Sequence, residues 1–459
     1  MSPRVGRRRH LYEALLTPLL IIALALAPCG CGAESAARLP TPTATIPLLS
    51  PTSTPIRITA VPPRTPAPHS PTEGGTMMPI PASTSTPTPL PAELSPAAWA
   101  ALLAESVLAR WPDPEAIVGH GWEYNSGIVL AGLSAVQRQS GDPRLLAYLQ
   151  RWVDGYVGPQ GEFVLPQADN LDLVQPANLL LDLYEATGQA RYLAAARTIA
   201  DDLLANHPRN AAGGFWHKDI YPQQMWLDGV YMAGPFLVRL SALTGEPAYA
   251  DTAVAQALLL AEHTQDANTG LLCHAWDASA AAPWADAATG RAPVVWLRAM
   301  GWYAMALVDM LAALPPDHPQ RADLLTVLQQ AAAGLAAAQD AGSGLWTQVL
   351  NAPALADNWL ESSGSAMVAY ALQRGVDQGL LDGHYAAVAA RGWQGLLAQG
   401  LLSRGVDGLA VVSGAVEGTG VQVDAAAYLA RQRLQNSPHG LAGLMLAATA
   451  MAAQPPDQA

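Results

Sequence analysis

From Ser95 onward, apolar residues recur at the three- and four-residue spacing of amphipathic helices. A short turn motif separates these stretches: QSGDP at 139–143, ATGQA at 186–190 and LTGEP at 243–247. Glycine after a Ser or Thr suits the left-handed residue that ends many helices. Pairs of helices that repeat at about 50 residues are typical of stacked or closed helical arrays.

The periodicity predicts twelve helices in six hairpins, which favours an all-α fold, the (α/α)6 barrel, a toroid of helical hairpins. No stretch shows convincing strand alternation, apart from short candidates near 346–350 and 409–413. The predicted helices lie near 97–111, 126–138, 142–157, 173–187, 189–206, 225–243, 246–263, 298–313, 320–339, 361–379, 382–399 and 438–453.

Unusual polar residues occur where every second helix begins. Since alternate helices of such an array run parallel, we expect their starts to share one end of the ring. The residues are Trp122-Glu123-Tyr124, Asp172, Asp228, Arg298 with Trp302, Glu361-Ser362-Ser363 and Ser437-Pro438-His439. Capping explains Asp172 and Ser363. It does not explain Arg298, because the helix dipole disfavours a cation at an N-terminus.

Asp228 lies in the apolar stretch QMWLDGVYMAGPF, between Trp226 and Tyr231. An ionised carboxylate in such surroundings costs free energy unless it is paired or takes part in chemistry. We therefore place Asp228 in a site at the aromatic mouth of the ring.

The first part of the chain is predicted to lie outside this fold. Residues 1–31 read as a lipoprotein-like signal peptide, with a basic start, an apolar run and a small-residue ending at Cys29 or Cys31. Residues 32–94 are rich in Pro, Thr and Ser and predict a disordered linker. The catalytic domain is predicted over 95–455, on an exported protein that is secreted or held at the cell surface of a bacterium.

Charge and composition narrow the classes of partner. The net charge is −13, and because residues 1–95 hold seven Arg and four Glu, the remainder carries −16. An acidic domain of this kind excludes a general nucleic-acid surface, and membrane contact is expected only through an N-terminal lipid. No Cys or His cluster has metal-ligand spacing, and no cofactor is predicted.

Five stretches in order resemble glycoside hydrolase family 105, the unsaturated rhamnogalacturonyl hydrolases, and the related family 88 unsaturated glucuronyl hydrolases. They are DNLDLVQPANLLLDLYEATG at 169–188, GGFWHKDIYPQQMWLDGVYMAGPF at 213–236, LLCHAWD at 271–277, WLRAMGWYAMALVDML at 296–311 and NWLESSGSAMVAYAL at 358–372. The family fold is an (α/α)6 barrel, in agreement with the helix count.

The resemblance implies hydrolysis of oligosaccharides left by polysaccharide lyases, which end in a 4,5-unsaturated uronic acid, here expected to be galacturonyl. An acid protonates C4, a cation develops at C5, and water adds there. Asp228 matches the acid/base residue, with a pKa expected to be raised by an apolar pocket. Asp172 matches the second acidic residue, and Tyr124, His217 and His274 match positions that line the sugar subsite.

Arg298 and Trp302, one turn apart on a helix, match residues that meet the unsaturated ring. A guanidinium is also the natural partner of a uronate carboxylate. Glu361 is an alternative acid. The remaining notable side chains are read as structural: Cys273 as buried and inert, Asp201-Asp202 as a solvated helix face, and His207, His318, His384 and His439 as surface residues.

Other classes of function stay open on the sequence. A sugar epimerase on the same toroid would use paired His bases, for which His217 and His274 are candidates. A non-catalytic sugar-binding surface protein would keep the Trp and Arg residues and lose the acid. An ordinary glycosidase would use Asp172 and Asp228 as its two carboxylates.

Overall fold

The computed structural model describes residues 94–119, 121–164, 166 and 168–452, and this part of the chain contains thirteen α-helices and six short β-strands. The predicted signal peptide and almost all of the predicted linker lie outside the described residues. The helices are α1 Pro96–Arg110, α2 Tyr124–Ser140, α3 Pro143–Val153, α4 Asn178–Thr187, α5 Ala190–Asn206, α6 Leu227–Thr244, α7 Pro247–Thr264, α8 Leu297–Ala313, α9 Arg321–Ala337, α10 Ser362–Asp377, α11 His384–Ala398, α12 Ala425–Leu429 and α13 Pro438–Ala452.

The helices form the predicted double ring. Neighbouring contacts run from α2 to α4, α6, α8, α10 and α13 and return from α13 to α2, which closes an inner ring. Each of α3, α5, α7, α9 and α11 packs beside an inner helix that neighbours it in the chain, and α1 packs on α13. The all-α (α/α)6 prediction is therefore confirmed.

All twelve predicted helices are present, and two differ in extent. The fourth begins at Asn178 rather than near 173, because 171–173 and 175–177 form 3₁₀ turns around Pro176. The third ends at Val153 rather than near 157. The short helix α12 was not predicted, since its five residues are too few to show a period.

Helix ends follow the predicted turn chemistry. Gly141, Gly188 and Gly245 follow α2, α4 and α6 with φ of 69°, 68° and 73°, the left-handed conformation in which glycine has no Cβ penalty. At the start of α1, the Ser95 side chain accepts a hydrogen bond from the Ala98 N–H.

Short strands join the loops at the N-terminal ends of the inner helices. β1 Gln224–Trp226 pairs antiparallel with β2 Ala275–Asp277, β3 Leu402–Arg404 with β4 Ala410–Val412, and β5 Ala415–Val416 with β6 Arg433–Leu434. The candidate near 409–413 corresponds to β4, whereas 346–350 makes only isolated bridges, among them Trp296 with Val349.

The core lies between the two rings and inside the inner one. Every residue of α8 from Leu297 to Leu307 is buried, as are nearly all of α13. Trp152, Trp296, Trp302 and Trp346 are among the largest fully buried side chains. Among the described helices, none combines the length and apolarity needed to span a membrane.

Candidate active site

One pocket opens where the inner helices begin. Tyr124 is the first residue of α2, Asp228 the second of α6, Arg298 the second of α8 and His439 the second of α13, and all four line it. The cavity measures about 170 Å³. The convergence of helix N-termini expected from the sequence is thus present. The lining is Tyr124, Asp172, His217, Lys218, Tyr221, Trp226, Asp228, Met232, Arg298, Trp302, Gly418, Thr419, Gly420 and His439.

Backbone pairing between loops brings the distant site residues together. The Leu171 N–H donates to the His217 carbonyl at 3.0 Å, which places the turn that carries Asp172 beside His217. The Leu227 N–H donates to the His274 carbonyl at 3.0 Å, in continuation of the β1–β2 register. The first pairing fixes the turn of Asp172 beside His217, and the second fixes the first turn of α6 beside His274.

The two carboxylates have different partners. Oδ2 of Asp228 lies 3.1 Å from Nε2 of His274, whose side chain is fully buried. Oδ2 of Asp172 lies 2.6 Å from Nζ of Lys218, and Oδ1 lies 3.5 Å from Nε2 of His217. Asp172 is therefore neutralised by a cation within the pocket, whereas Asp228 has an imidazole partner behind it.

The surroundings lower the pKa of Asp228. Burial raises it, but the interaction with His274, including its hydrogen bond to the carboxylate, with smaller effects of His217 and Arg298, outweighs burial and leaves the pKa below the usual range. The expectation of a raised pKa is wrong for the free pocket. Asp228 is a carboxylate at neutral pH until a ligand changes its surroundings.

Aromatic rings form one wall. Trp226 stacks on His217 with centroids 4.2 Å apart and on Tyr221 with centroids 4.8 Å apart. Burial lowers the pKa of His217 to about 4, so its imidazole is neutral at pH 7. Trp302 packs against Tyr231 at 4.6 Å, deeper along the barrel. Flat rings with polar edges suit a sugar.

Arg298 combines a place in the pocket with backbone contacts. Its Nη1 donates to the Val416 carbonyl and its Nη2 to the Glu417 carbonyl at 2.7 Å, while its guanidinium lies 4.6 Å from the Trp296 ring. The side chain is 1% exposed. Arg298 therefore holds the segment 416–420, which covers the pocket, and presents a positive charge there.

Two predicted residues lie behind the pocket rather than in it. His274 does not line the cavity; it contacts Asp228 through Nε2 and the Tyr428 hydroxyl through Nδ1. Glu361 is fully buried and accepts hydrogen bonds from Ser363, Gly364 and the Val416 N–H. Glu361 caps α10, so its carboxylate has a structural role.

The histidine assignments need correction. His439 is buried at the pocket, with Nε2 3.1 Å from the Tyr124 hydroxyl. His207 is also buried, with Nε2 2.8 Å from the Trp216 carbonyl. The prediction of surface positions is wrong for both. His439 is at the pocket because it lies at the start of the inner helix α13, and His207 is buried because it packs against the loop that contains Trp216. His384 is exposed as predicted, and Cys273 is buried as predicted.

Sequence reasoning missed three parts of the lining. Lys218 and Tyr221 follow His217 in the quoted stretch GGFWHKDIYPQQMW, and their proximity to that candidate was the available signal. Gly418-Thr419-Gly420 lies far along the chain, outside any recognised motif. In the described part of the chain, no group of three or more His, Cys, Asp or Glu side chains could hold a metal ion.

An all-helical toroid with a carboxylate pair, aromatic walls and cations at one mouth is typical of enzymes that act on carbohydrates. Residues 100–454 match the model of Glycosyl Hydrolase Family 88. The chain belongs to this family, within the group that includes family 105.

Two individual proteins similar to this chain are also hydrolases of this kind. A glycoside hydrolase from family 105 of C. acetobutylicum ATCC 824 has a structure similar to this one, with a TM-score of 0.73 and 31% identity over 77% of this chain and 99% of its own. The unsaturated rhamnogalacturonyl hydrolase YesR of Bacillus subtilis is 29% identical over 55% of this chain and 70% of its own length.

The third relative is Protein Atu3128 of Agrobacterium fabrum, which is 42% identical over 158 residues. That match spans 34% of this chain and 66% of the Agrobacterium protein, just under two thirds of its length.

Proposed function

We propose that the protein removes a 4,5-unsaturated uronic acid from the non-reducing end of lyase-generated oligosaccharides. The observation that carries this proposal is Asp228: a carboxylate held from behind by a buried His274, in a small pocket that also presents Arg298. The similarity to YesR of Bacillus subtilis, an unsaturated rhamnogalacturonyl hydrolase, supports the same substrate class.

The proposed reaction is hydration of the C4=C5 bond. Asp228 gives a proton to C4, the cation forms at C5 beside the ring oxygen, and water adds at C5 as its proton passes to Asp228. The hemiketal then opens and the glycosidic bond is lost. Because the free Asp228 is ionised, the substrate must raise its pKa, and a uronate carboxylate that enters the pocket and displaces water does so.

Two basic side chains are available for that uronate. Arg298 keeps N–H groups beyond its two carbonyl contacts, and Lys218 lines the pocket while it pairs with Asp172. We assign the carboxylate to Arg298, since a guanidinium matches it in two-pronged geometry. Lys218 then stays paired with Asp172, whose carboxylate oxygens serve as acceptors for sugar hydroxyls.

The other candidate functions receive less support. Paired His bases of an epimerase must both reach the substrate, yet His274 is fully buried behind Asp228. A non-catalytic binding protein has no need of a buried histidine that orients a carboxylate. Membership of a hydrolase family favours neither alternative.

The substrate panel is the decisive assay. Purified protein is incubated with oligosaccharides that end in unsaturated galacturonyl or unsaturated glucuronyl residues, and loss of the ultraviolet absorbance of the conjugated enol carboxylate is followed. We expect turnover with preference for the galacturonyl series. Turnover of saturated oligosaccharides alone would contradict the proposal.

We also propose that the chain is exported and held at the cell surface through Cys29 or Cys31, on the strength of the N-terminal pattern alone. Metabolic labelling with a fatty acid tests this. Label should be lost in one of the variants Cys29→Ser and Cys31→Ser and retained in Cys273→Ser. Equal labelling of all three variants would overturn the lipid anchor.

A further inference from the structure

The hydroxyl of Tyr428 connects two parts of the site. Tyr428 lies in α12, is fully buried, and does not line the pocket. Its oxygen lies 2.6 Å from Nδ1 of His274, the residue behind Asp228. The backbone N–H of Gln422 donates to the same oxygen at 3.1 Å. The hydroxyl thus joins His274 to the segment that runs on from the pocket cover.

The hydrogen positions follow from counting donors and acceptors. Gln422 offers an N–H, so the Tyr428 oxygen accepts there. Among the described residues, Nδ1 of His274 is the other partner of this hydroxyl, and its hydrogen therefore points to Nδ1. Nδ1 is then an acceptor without a proton. The ring proton is therefore on Nε2, which donates to Asp228 at 3.1 Å. A neutral ring with its proton on Nδ1 instead of Nε2 would leave the tyrosine hydrogen without an acceptor and place two acceptors face to face at Asp228.

The cover segment, residues 416–420, is held at its first two residues and at Gln422, two residues beyond its end. Arg298 binds the carbonyls of Val416 and Glu417, and Tyr428 binds the N–H of Gln422. Between these points Gly418, Thr419 and Gly420 line the pocket. A Cβ at Gly420 would lie 3.3 Å from the Trp226 ring, so the cover passes close over the aromatic wall.

We propose that Tyr428 is a positioning residue that fixes His274 in the Nε2–H tautomer, orients Oδ2 of Asp228, and links that orientation to the pocket cover. Among the described residues, no hydrogen bond holds Oδ1 of Asp228, so this oxygen faces the substrate. The tautomer and the tie to the cover are independent of the substrate. Only the effect on turnover rests on the proposed function.

The free protein provides the first test. Histidine-selective ¹⁵N labelling and two-bond ¹H–¹⁵N spectra distinguish the two neutral tautomers and the imidazolium, and the variant His274→Gln identifies the resonance. We expect the Nε2–H form at neutral pH. An Nδ1–H form or a doubly protonated ring in the wild-type protein would overturn the proposal without any variant of Tyr428.

The variant Tyr428→Phe keeps the ring and removes the hydroxyl. We expect the His274 signal to move to a mixture of tautomers and kcat to fall roughly ten- to hundredfold, the range for leaving buried polar groups without a partner, with KM little changed. Tyr303→Phe is the matched control, because that fully buried hydroxyl donates to the Ala257 carbonyl on the outer helix α7.

The outcomes distinguish the positioning role of Tyr428 from the proposed function of the protein. An unchanged His274 spectrum in Tyr428→Phe, or a loss of kcat equal to that in Tyr303→Phe, would reduce Tyr428 to a packing residue. A wild-type protein that turns over no unsaturated substrate would refute the proposed function, while the spectra would still decide the tautomer. If Tyr428→Phe does not fold, the wild-type spectrum alone decides.

Discussion

Single side chains decide the chemistry of this pocket through their partners rather than their type. Asp172 and Asp228 are both aspartates at the same mouth, yet one faces Lys218 and the other His274. An ammonium group holds Asp172 in a salt bridge, whereas Asp228, beside an imidazole, is the carboxylate that the proposed mechanism uses for proton transfer. The division of roles between them follows from that contrast.

Asp228→Asn should lower kcat by roughly 10²–10⁴-fold, since it removes the proposed proton donor to C4. Steady-state assays on the preferred unsaturated oligosaccharide measure this fall in kcat. Asp309→Asn is the control: Asp309 accepts from the Tyr370 hydroxyl at 2.9 Å and lies roughly 16 Å along α8 from Arg298. Near-normal turnover in Asp228→Asn would move the acid role to Asp172.

Arg298→Ala should raise KM for the anionic substrate and also lower stability. The buried Val416 carbonyl loses a charged donor, which costs about 1–3 kcal/mol, whereas the half-buried Glu417 carbonyl keeps the Thr419 hydroxyl as a donor. Urea unfolding and kinetics at several salt concentrations separate the effects. Arg239→Ala, which breaks ion pairs with Asp182 and Glu185, should lose stability without a change in KM. Equal KM values in all three proteins would show that the carboxylate is held elsewhere.

Residue-level predictability depended on context. Asp228 and Arg298 could be found because each conflicts with its surroundings: a carboxylate in an apolar stretch and a cation at a helix start. Lys218 and His439 have no such local conflict. Their signals in the sequence are indirect: Lys218 follows the candidate His217, and His439 lies at the start of an alternate helix.

Elements of regular structure position the site through their ends. The inner helices could be predicted because their periods extend over ten residues or more. The strands that fasten their starts have two or three residues each, too few for alternation to emerge. The sequence therefore indicated which helices carry the site, but not how His274 comes to lie beside Asp228.

Glu361→Gln tests the fastening between α10 and β5. The carboxylate caps α10 and accepts from the Val416 N–H. The amide of Gln would turn its own N–H groups toward these backbone N–H groups, which should lower the free energy of unfolding by about 1–3 kcal/mol. Most of kcat should remain, because Glu361 is not in the pocket. Thermal unfolding and turnover measure the two effects, with the exposed Glu262→Gln as control. A loss of kcat as large as that of Asp228→Asn would restore Glu361 as a candidate acid.

Burial keeps three histidines of the described residues neutral at pH 7, and two of them, His217 and His439, line the pocket. Burial lowers the pKa of His217 to about 4 and also lowers the pKa values of His439 and His207. Each of these groups binds its proton more readily in the unfolded chain, whose histidines titrate near 6.5. Acid therefore favours unfolding over a defined range.

The sign of the pH effect follows. As pH falls through about 6.5 the unfolded chain takes up protons that the folded His217 refuses until about 4, so stability declines across that window. His217 alone contributes roughly 3 kcal/mol. Urea unfolding from pH 7 to 4 should show the decline, and it should be shallower in His217→Gln. The exposed His384→Gln should leave the slope unchanged; equal slopes in all three proteins would exclude the histidines as its cause.

The closure of the inner ring by α13 has a consequence in time. The apolar face of α1, with Trp99, Leu103 and Val107, packs on a helix that begins roughly 330 residues later. At about 5–20 residues per second, a ribosome needs roughly a quarter of a minute to a minute to cover that distance. During that interval α13 does not yet exist to cover the apolar face of α1. The first helix of the nascent domain therefore remains open to chaperones and to misassociation until α13 is synthesised.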